Sequence, residues 1–399
     1  MKNVAGSESG VSKKILCDVL DVAGNRLLDV LNTSLDNGEF PEEWKTSIIV
    51  PVPKVQNTNL HNQFRPINTV EVYEKVLELV VKKQLQHHCD VNNILVSNQS
   101  GFRAKHSCES VVVNICDTFV KIIDKGEVVL AVFLDLRRAF ETVDRDLLLN
   151  KLNKYGLNGT VLKWFRSYLS NRQQKVKYNN VISDPVIVNY GVPQGTVLGP
   201  LLFLLYVNDI VKVVKQCKIE LFADDTMIYI SGTDLKYMED ILNNDLENIF
   251  KWLCNNKLSI NTEKTKFCLF GRKFKLNQIV PNNINITINN RNILPEKQIK
   301  YLGVIFDHQL NFHAHADYIL RKFSKKINFI SRIGRHLTTH TKLLLYNSIA
   351  APHLEFCSTI LYNLPNYLIQ KFQVVQNRAL RSILKCNYCL LYTSDAADD

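Results

Sequence analysis

VVLAVFLD (128–135) and KIELFADDTMIYI (218–230) are the two stretches from which the fold of this chain is read. The first is an unbroken apolar run that ends in an acid, the pattern of a central strand covered on both faces. The second is a pair of short apolar strands meeting at two acids, which predicts a hairpin. Charged side chains beside such strands are costly unless something compensates them. Asp135, Asp224 and Asp225 therefore stand out. If strand and hairpin are neighbours in one sheet, the three carboxylates converge at one edge. Magnesium suits such a set, because it takes carboxylate oxygens and keeps coordination positions open for phosphate. A pair of such ions is suited to an in-line displacement at phosphorus. The plainer alternative is three solvated acids at strand ends, and the acids alone leave both readings open.

Outward from this centre, the pattern predicts helices near 144–155 and 158–169, with Gly156 between them as a C-cap. Short strands near 173–189 lead into the turn-rich GVPQG (191–195). VLGPLLFLLYVNDI then reads as a buried helix, with Pro200 in its first turn where a missing N–H costs little. A helix from Asp234 to Asn256 follows, then a strand near 265–270 and another near 299–306. Upstream, residues 12–36 read as helical, IIVPVPK (48–54) as a strand ending in prolines, and Val72–Gln86 as a helix. From Phe312 onward the pattern is helical with basic residues interleaved, including Arg321, Lys322, Lys325 and Lys326.

Lysine and arginine exceed aspartate and glutamate by 49 − 38 = 11, a balance that fits a polyanionic partner. The ten cysteines lie mostly in apolar runs, as buried thiols of a reducing compartment do. Cys386 with Cys389 forms a lone CxxC, and His336 with His340 has no acidic or cysteine partner, so no zinc site is expected. No apolar stretch reaches membrane-spanning length, and a soluble intracellular protein without membrane contact is expected.

At this point the ordered motifs become recognisable. FLDLRRAFETVD (133–144), GVPQGTVLGPLLFLLYVNDI (191–210) and LFADDTMIYI (221–230) resemble the first three palm motifs of reverse transcriptases, especially those of non-LTR (LINE-type) retrotransposons. NKLSINTEKTKFCLFG (256–271) is similar to the fourth, and IKYLGVIFD (299–307) to the primer-grip motif. FPEEWKTSIIVPVPK (40–54), FRPIN (64–68) and NQSGFRAKHS (98–107) resemble finger segments, in the expected order. Group II intron and telomerase enzymes share the palm, but this wording is closer to LINE-type elements.

The resemblance implies an α+β right hand: fingers, a palm with an antiparallel ferredoxin-like sheet, and a helical thumb. The expected division is an N-terminal helical extension (1–39), fingers and palm (40–311), a thumb-like region (312–388) and a foreign tail (389–399). Asp135, Asp224 and Asp225 match the ligands of two Mg2+ ions, with Mn2+ as the alternative. Lys54 and Arg65 match positions that grip the triphosphate, and Phe140 the bulky residue beneath the incoming sugar. Gln194 and Gly195 match the lining of the nucleotide and template side, and Lys264 a candidate acid for the leaving pyrophosphate. Tyr301, Leu302 and Gly303 match the primer grip. Arg103 reads better as a loop pin than as a nucleic-acid contact, and Glu141 stands where such elements commonly carry Asp. Implied partners are an RNA template, a DNA primer or target and deoxynucleoside triphosphates. The implied location is the nucleus during integration and the cytoplasm otherwise, and no oligomeric state is indicated. A catalytically inactive nucleic-acid-binding remnant, or a fragment truncated at the thumb, is the rival reading.

CLLYTSDAADD (389–399) fits nothing before it and resembles the translation of a transposase-based sequencing-library adapter. On that reading the natural protein continues past Asn387 or Tyr388, and an upstream part precedes the finger region.

Overall fold

The structure, a computed structural model, describes residues 10–54, 60, 63–179, 181–279, 284–362 and 364–384. The expected tail and the Cys386–Cys389 pair lie outside the described residues. Strands β1 (Thr46–Pro53) and β2 (Phe64–Thr69) form an antiparallel ribbon in which Pro51 sits opposite Pro66. Strand β3 spans Val128–Leu134, and β4 (Gln173–Tyr178) pairs in parallel with the first half of β1 only, Thr46 to Ile49. The prolines of β1 thus fall where the strand has become an edge, a place where a missing N–H is tolerated. Short strands β5 (Val181–Ile182) and β6 (Val186–Ile187) fold back on β4.

The second sheet is built around β3. Strands β7 (Lys218–Phe222) and β8 (Asp225–Gly232) form the predicted hairpin, and β9 (Lys266–Phe270) flanks β3 on its other side. The order is β9-β3-β8-β7, all antiparallel, with Leu294–Pro295 added in parallel beside β9. Every residue of β3 is buried because both of its faces are covered. Val128, Leu130, Val132 and Leu134 pack with the apolar helix Gly199–Val207. Val129, Ala131 and Phe133 pack with helix Cys108–Asp124 and the strands Gln298–Tyr301 and Val304–Asp307. This period-2 division sends alternate side chains into two cores.

Three of the differences between expected and observed elements bear on the central sheet and its surroundings. The N-terminal helix breaks at Val19 into Lys13–Asp18 and Leu20–Asn37. The strand expected near 299–306 is instead a hairpin, because Leu302 and Gly303 take positive φ and reverse the chain. Helix Cys108–Asp124, begun by a Ser107–Ser110 capping box, adds to the expected set. Gly156 follows the helix Arg145–Lys154 with φ 89°, the left-handed conformation of a C′ glycine. Helices from His313 to Leu384 pack on one another through Phe323, Ile327, Ile330 and Ala379.

Candidate active site

The pairing register places the acids. Leu134 of β3 pairs with Thr226 of β8, so the next step outward sets Asp135 against Asp225. The hairpin closes at the pair Phe222–Asp225, leaving Ala223 and Asp224 as a two-residue turn. On its other side, Asp135 is gripped by the loop before β9. Asn261 donates from Nδ2 to Asp135 Oδ2 at 2.9 Å and from its backbone N–H to the Asp135 carbonyl at 2.7 Å. The Asp135 N–H donates to Thr265 Oγ1 at 3.3 Å. Lys264 Nζ lies 4.0 Å from Asp135 Oδ2 with both side chains open to solvent, a weak pair.

Two of the three carboxylates, Asp224 and Asp225, are costly to ionise. Burial shifts the Asp224 carboxyl upward; the Asp135 charge adds to that shift, whereas the Arg65 charge opposes it. Burial, then the Asp224 and Asp135 charges, push the Asp225 carboxyl upward as well. A cavity of 310 Å³ opens beside the acids and is walled by Asp135, Asp225, Lys264, Lys300 and Tyr301. Among the described residues, no three His, Cys, Asp or Glu groups converge closely enough to hold a metal unaided. Asp135 turns one oxygen to Asn261. The donor chemistry, hard carboxylate oxygens under mutual repulsion, fits a hard divalent cation.

The remaining expected positions divide into two groups. Phe140 stacks on the buried ring of Phe203 with centroids 4.3 Å apart, and Phe102 meets its edge at 6.2 Å. Gln194 lines a cavity of 270 Å³ with Ser47, Asn68 and Gln174, its carbonyl accepting from Asn68 N and Nδ2. Gly195 has φ 96°, and a Cβ there would lie 2.8 Å from the Asn68 carbonyl oxygen. Arg65 acts electrostatically on Asp224, whereas Lys54 follows the exposed end of β1. Tyr301 packs its ring on Phe133 and faces the acids' cavity, whereas Leu302 and Gly303 form the adjoining turn. Arg103 donates to the Val96 and Gln99 carbonyls, a pin within its own loop.

Several supporting residues escape a reading of motifs. Asn261 and Thr265 carry only the local signal of turn-forming side chains. Glu74 and Glu78 fall on the apolar face of helix Val72–Val91, four residues apart, and an acid pair on such a face is a usable signal. Glu78 accepts from the Val197 N–H at 2.6 Å and from the Tyr168 hydroxyl, tying down the loop after GVPQG.

Residues 52–306 match the reverse transcriptase (RNA-dependent DNA polymerase) family. The chain is 27% identical over 366 residues to "Probable RNA-directed DNA polymerase from transposon BS" of Drosophila melanogaster, covering 88% of this chain and 39% of that protein. To "RNA-directed DNA polymerase from mobile element jockey" of the same organism it is 25% identical over 365 residues, 89% of this chain and 39% of the relative. A type-1 retrotransposable element R1 polyprotein of Bradysia coprophila is 22% identical over 353 residues, 86% of this chain and 34% of the relative. The chain thus spans about two-fifths of the length of the first two and a third of the last. These relatives come from LINE-type, non-LTR transposons. With more than half of its length matched and three carboxylates at the end of its central sheet, the chain belongs to the reverse transcriptase (RNA-dependent DNA polymerase) family.

Proposed function

We propose that this chain is the catalytic core of an RNA-directed DNA polymerase from a non-LTR element, extending a DNA primer 3′-hydroxyl on an RNA template. The observation that carries this reading is the register that sets Asp135 against Asp225, with Asp224 in the adjoining turn, at the end of a wholly buried strand. The β3-centred sheet serves as the palm, the β1–β2–β4 sheet as the fingers, and the helices from His313 as the thumb. Asp135, Asp224 and Asp225 would hold two Mg2+ ions, or Mn2+ in their place. Bound there, the ions supply activation of the attacking hydroxyl and charge stabilisation at the leaving pyrophosphate.

The protein's own groups do the rest. Arg65 and Lys54 bind the triphosphate, Arg65 through its fork of donors. Phe140, backed by Phe203, closes the space beneath the sugar and rejects a 2′-hydroxyl by clash. Gln194 and Gly195 flank the templating pair. Lys264, on the cavity wall and open to solvent, supplies a proton to the leaving group. Tyr301, Leu302 and Gly303 seat the primer end. Lys300 lines both the acids' cavity and a neighbouring one of 320 Å³, where its Nζ lies 2.9 Å from Tyr318 Oη and Lys322 sits over the same ring. This gives backbone phosphates a cationic path away from the acids. The element's cycle places the protein in the nucleus during integration and in the cytoplasm otherwise.

Primer extension by the purified chain on an RNA template tests the reading. Asp135→Asn and Asp224→Asn are expected to abolish extension yet leave primer–template binding within about twofold, because affinity comes mainly from phosphate contacts. Extension at the unsubstituted rate by either variant would remove that acid from the site.

A further inference from the structure

The turn bearing Asp224 and Asp225 is held by a segment to which the chemistry above gives no role. Residues 98–101 run along the outer edge of β7. The Leu221 N–H donates to the Asn98 carbonyl at 2.9 Å, the Ser100 N–H to the Leu221 carbonyl at 2.9 Å, and Asn98 Nδ2 to the Ile219 carbonyl at 2.8 Å. Within this seam Gln99 is 1% exposed. Its Oε1 accepts from the Ala223 N–H at 2.9 Å and the Gly101 N–H at 2.8 Å, and its Nε2 faces the Ala223 carbonyl at 3.4 Å. One side-chain amide therefore satisfies both backbone groups of Ala223.

Ala223 needs such support. Its φ is 57° while Asp224 is not left-handed, the φ signs of a type II′ turn, whose first central position favours glycine. An alanine there is strained, so the turn does not keep this shape for local reasons. The approach of the seam is also tight: a Cβ on Gly101 would lie 2.2 Å from Ala223 N.

We infer that Gln99 is a positioning residue for the catalytic turn, holding Ala223 left-handed so that Asp224 and Asp225 stay aimed at the side where Asp135 lies. This rests on the proposed role of those acids. Gln99→Met keeps the length and loses both acceptor contacts. In single-nucleotide extension it is expected to lower kcat about 10- to 100-fold, as small misplacements of reacting groups do. The Mg2+ concentration for half-maximal rate should rise at least about threefold, with the KM for dNTP and the primer–template Kd unchanged. Ala223→Gly in that background should recover about fivefold in kcat, because glycine accepts positive φ without strain. Gln99→Glu, held protonated by burial beside like charges, keeps the acceptor oxygen and can donate its O–H to the Ala223 carbonyl. It should stay within about threefold of the unsubstituted kcat and leave the Mg2+ requirement unchanged, and it carries the test if Gln99→Met does not fold. A Gln99→Met enzyme with ordinary kcat and Mg2+ requirement, whatever its Tm, overturns the inference. Equal loss in the Met and Glu variants overturns it too. If the unsubstituted chain extends no better than Asp224→Asn, it is the proposed function that fails, and the two failures are distinct.

Discussion

Glu74 and Glu78 are more deeply buried than Asp224 and Asp225, yet the chemistry proposed above uses only the aspartates. The glutamates sit with Arg172 and Tyr168 in the core beneath the GVPQG loop. Arg172 donates to Glu74 Oε1 at 2.8 Å, and Glu78 accepts from Tyr168 and from the Val197 N–H. Two carboxylates share one guanidinium there, and burial pushes the Glu74 carboxyl up to about 7 against the pull of Arg172. Burial shifts Glu78 upward as well. That cluster is compensated in the main from within, by a cation, a phenol and a backbone donor, although Glu74 Oε2 is buried without a hydrogen-bond partner. At the sheet end the acids have Arg65 at a distance and a loose Lys264, and they repel one another. Depth of burial therefore does not mark the functional acids. What marks them is that the protein leaves their charge for something else to balance.

The largest expected effect separates the two clusters outright. Asp224→Asn should cut extension by more than about a thousandfold, beyond the loss of one oxyanion donor in other enzymes. Its Tm should stay level or rise, since a repelling charge is gone. Arg172→Ala should do the reverse and destabilise the fold by about 3–5 kcal/mol, because two buried carboxylates lose their cation. Thermal melts for the first and denaturant melts for the second, both at neutral pH, measure these effects, and a stable Arg172→Ala protein would break the comparison. Phe140 is tied to the GVPQG loop, its carbonyl accepting from the Val192 N–H. Phe140→Ala should raise the CTP:dCTP incorporation ratio about tenfold while dCTP use falls modestly. An unchanged ratio in a folded, active variant would return that ring to the core.

The smallest effect is in pH. A Glu74 carboxyl raised to about 7 in the fold, against an ordinary value of 4.5, binds more protons folded than unfolded between those limits. Its contribution is therefore full below the lower limit and is lost as pH rises through the upper one. Between pH 5 and 8 the Tm of the unsubstituted chain should decline relative to Glu74→Gln, which keeps an oxygen for Arg172. Parallel curves would mean that Glu74 is already ionised across that range.

Much of the sheet was legible because its signals are local. β3 and the β7–β8 hairpin declare themselves as apolar runs, and Pro200 marks the start of its helix. Helix Cys108–Asp124 carries helical spacing at Val111, Val112, Ile115, Phe119 and Ile123, and Ser107 caps it, yet no motif draws the eye there. The three aspartates were nameable because apolar strands frame them. Gln99 was not, since Ala223 lies 124 residues away and a glutamine in a turn-rich stretch has no period. Arg172, 98 residues from Glu74, is hidden for the same reason, although the acid pair on its apolar helix face shows that some buried partner is needed. Local pattern can show that a buried acid needs a partner, but not which distant residue supplies it.

The two-sided burial of β3 has a consequence for how the protein comes apart. Alternate side chains of one strand complete two separate cores, so neither core can dissolve while the other keeps its wall. Loosening either one removes half the packing of the strand that ends in Asp135. The two layers must melt together as one cooperative unit, and local opening is easiest in elements that wall neither core, such as the largely exposed, proline-bearing half of the β1–β2 ribbon.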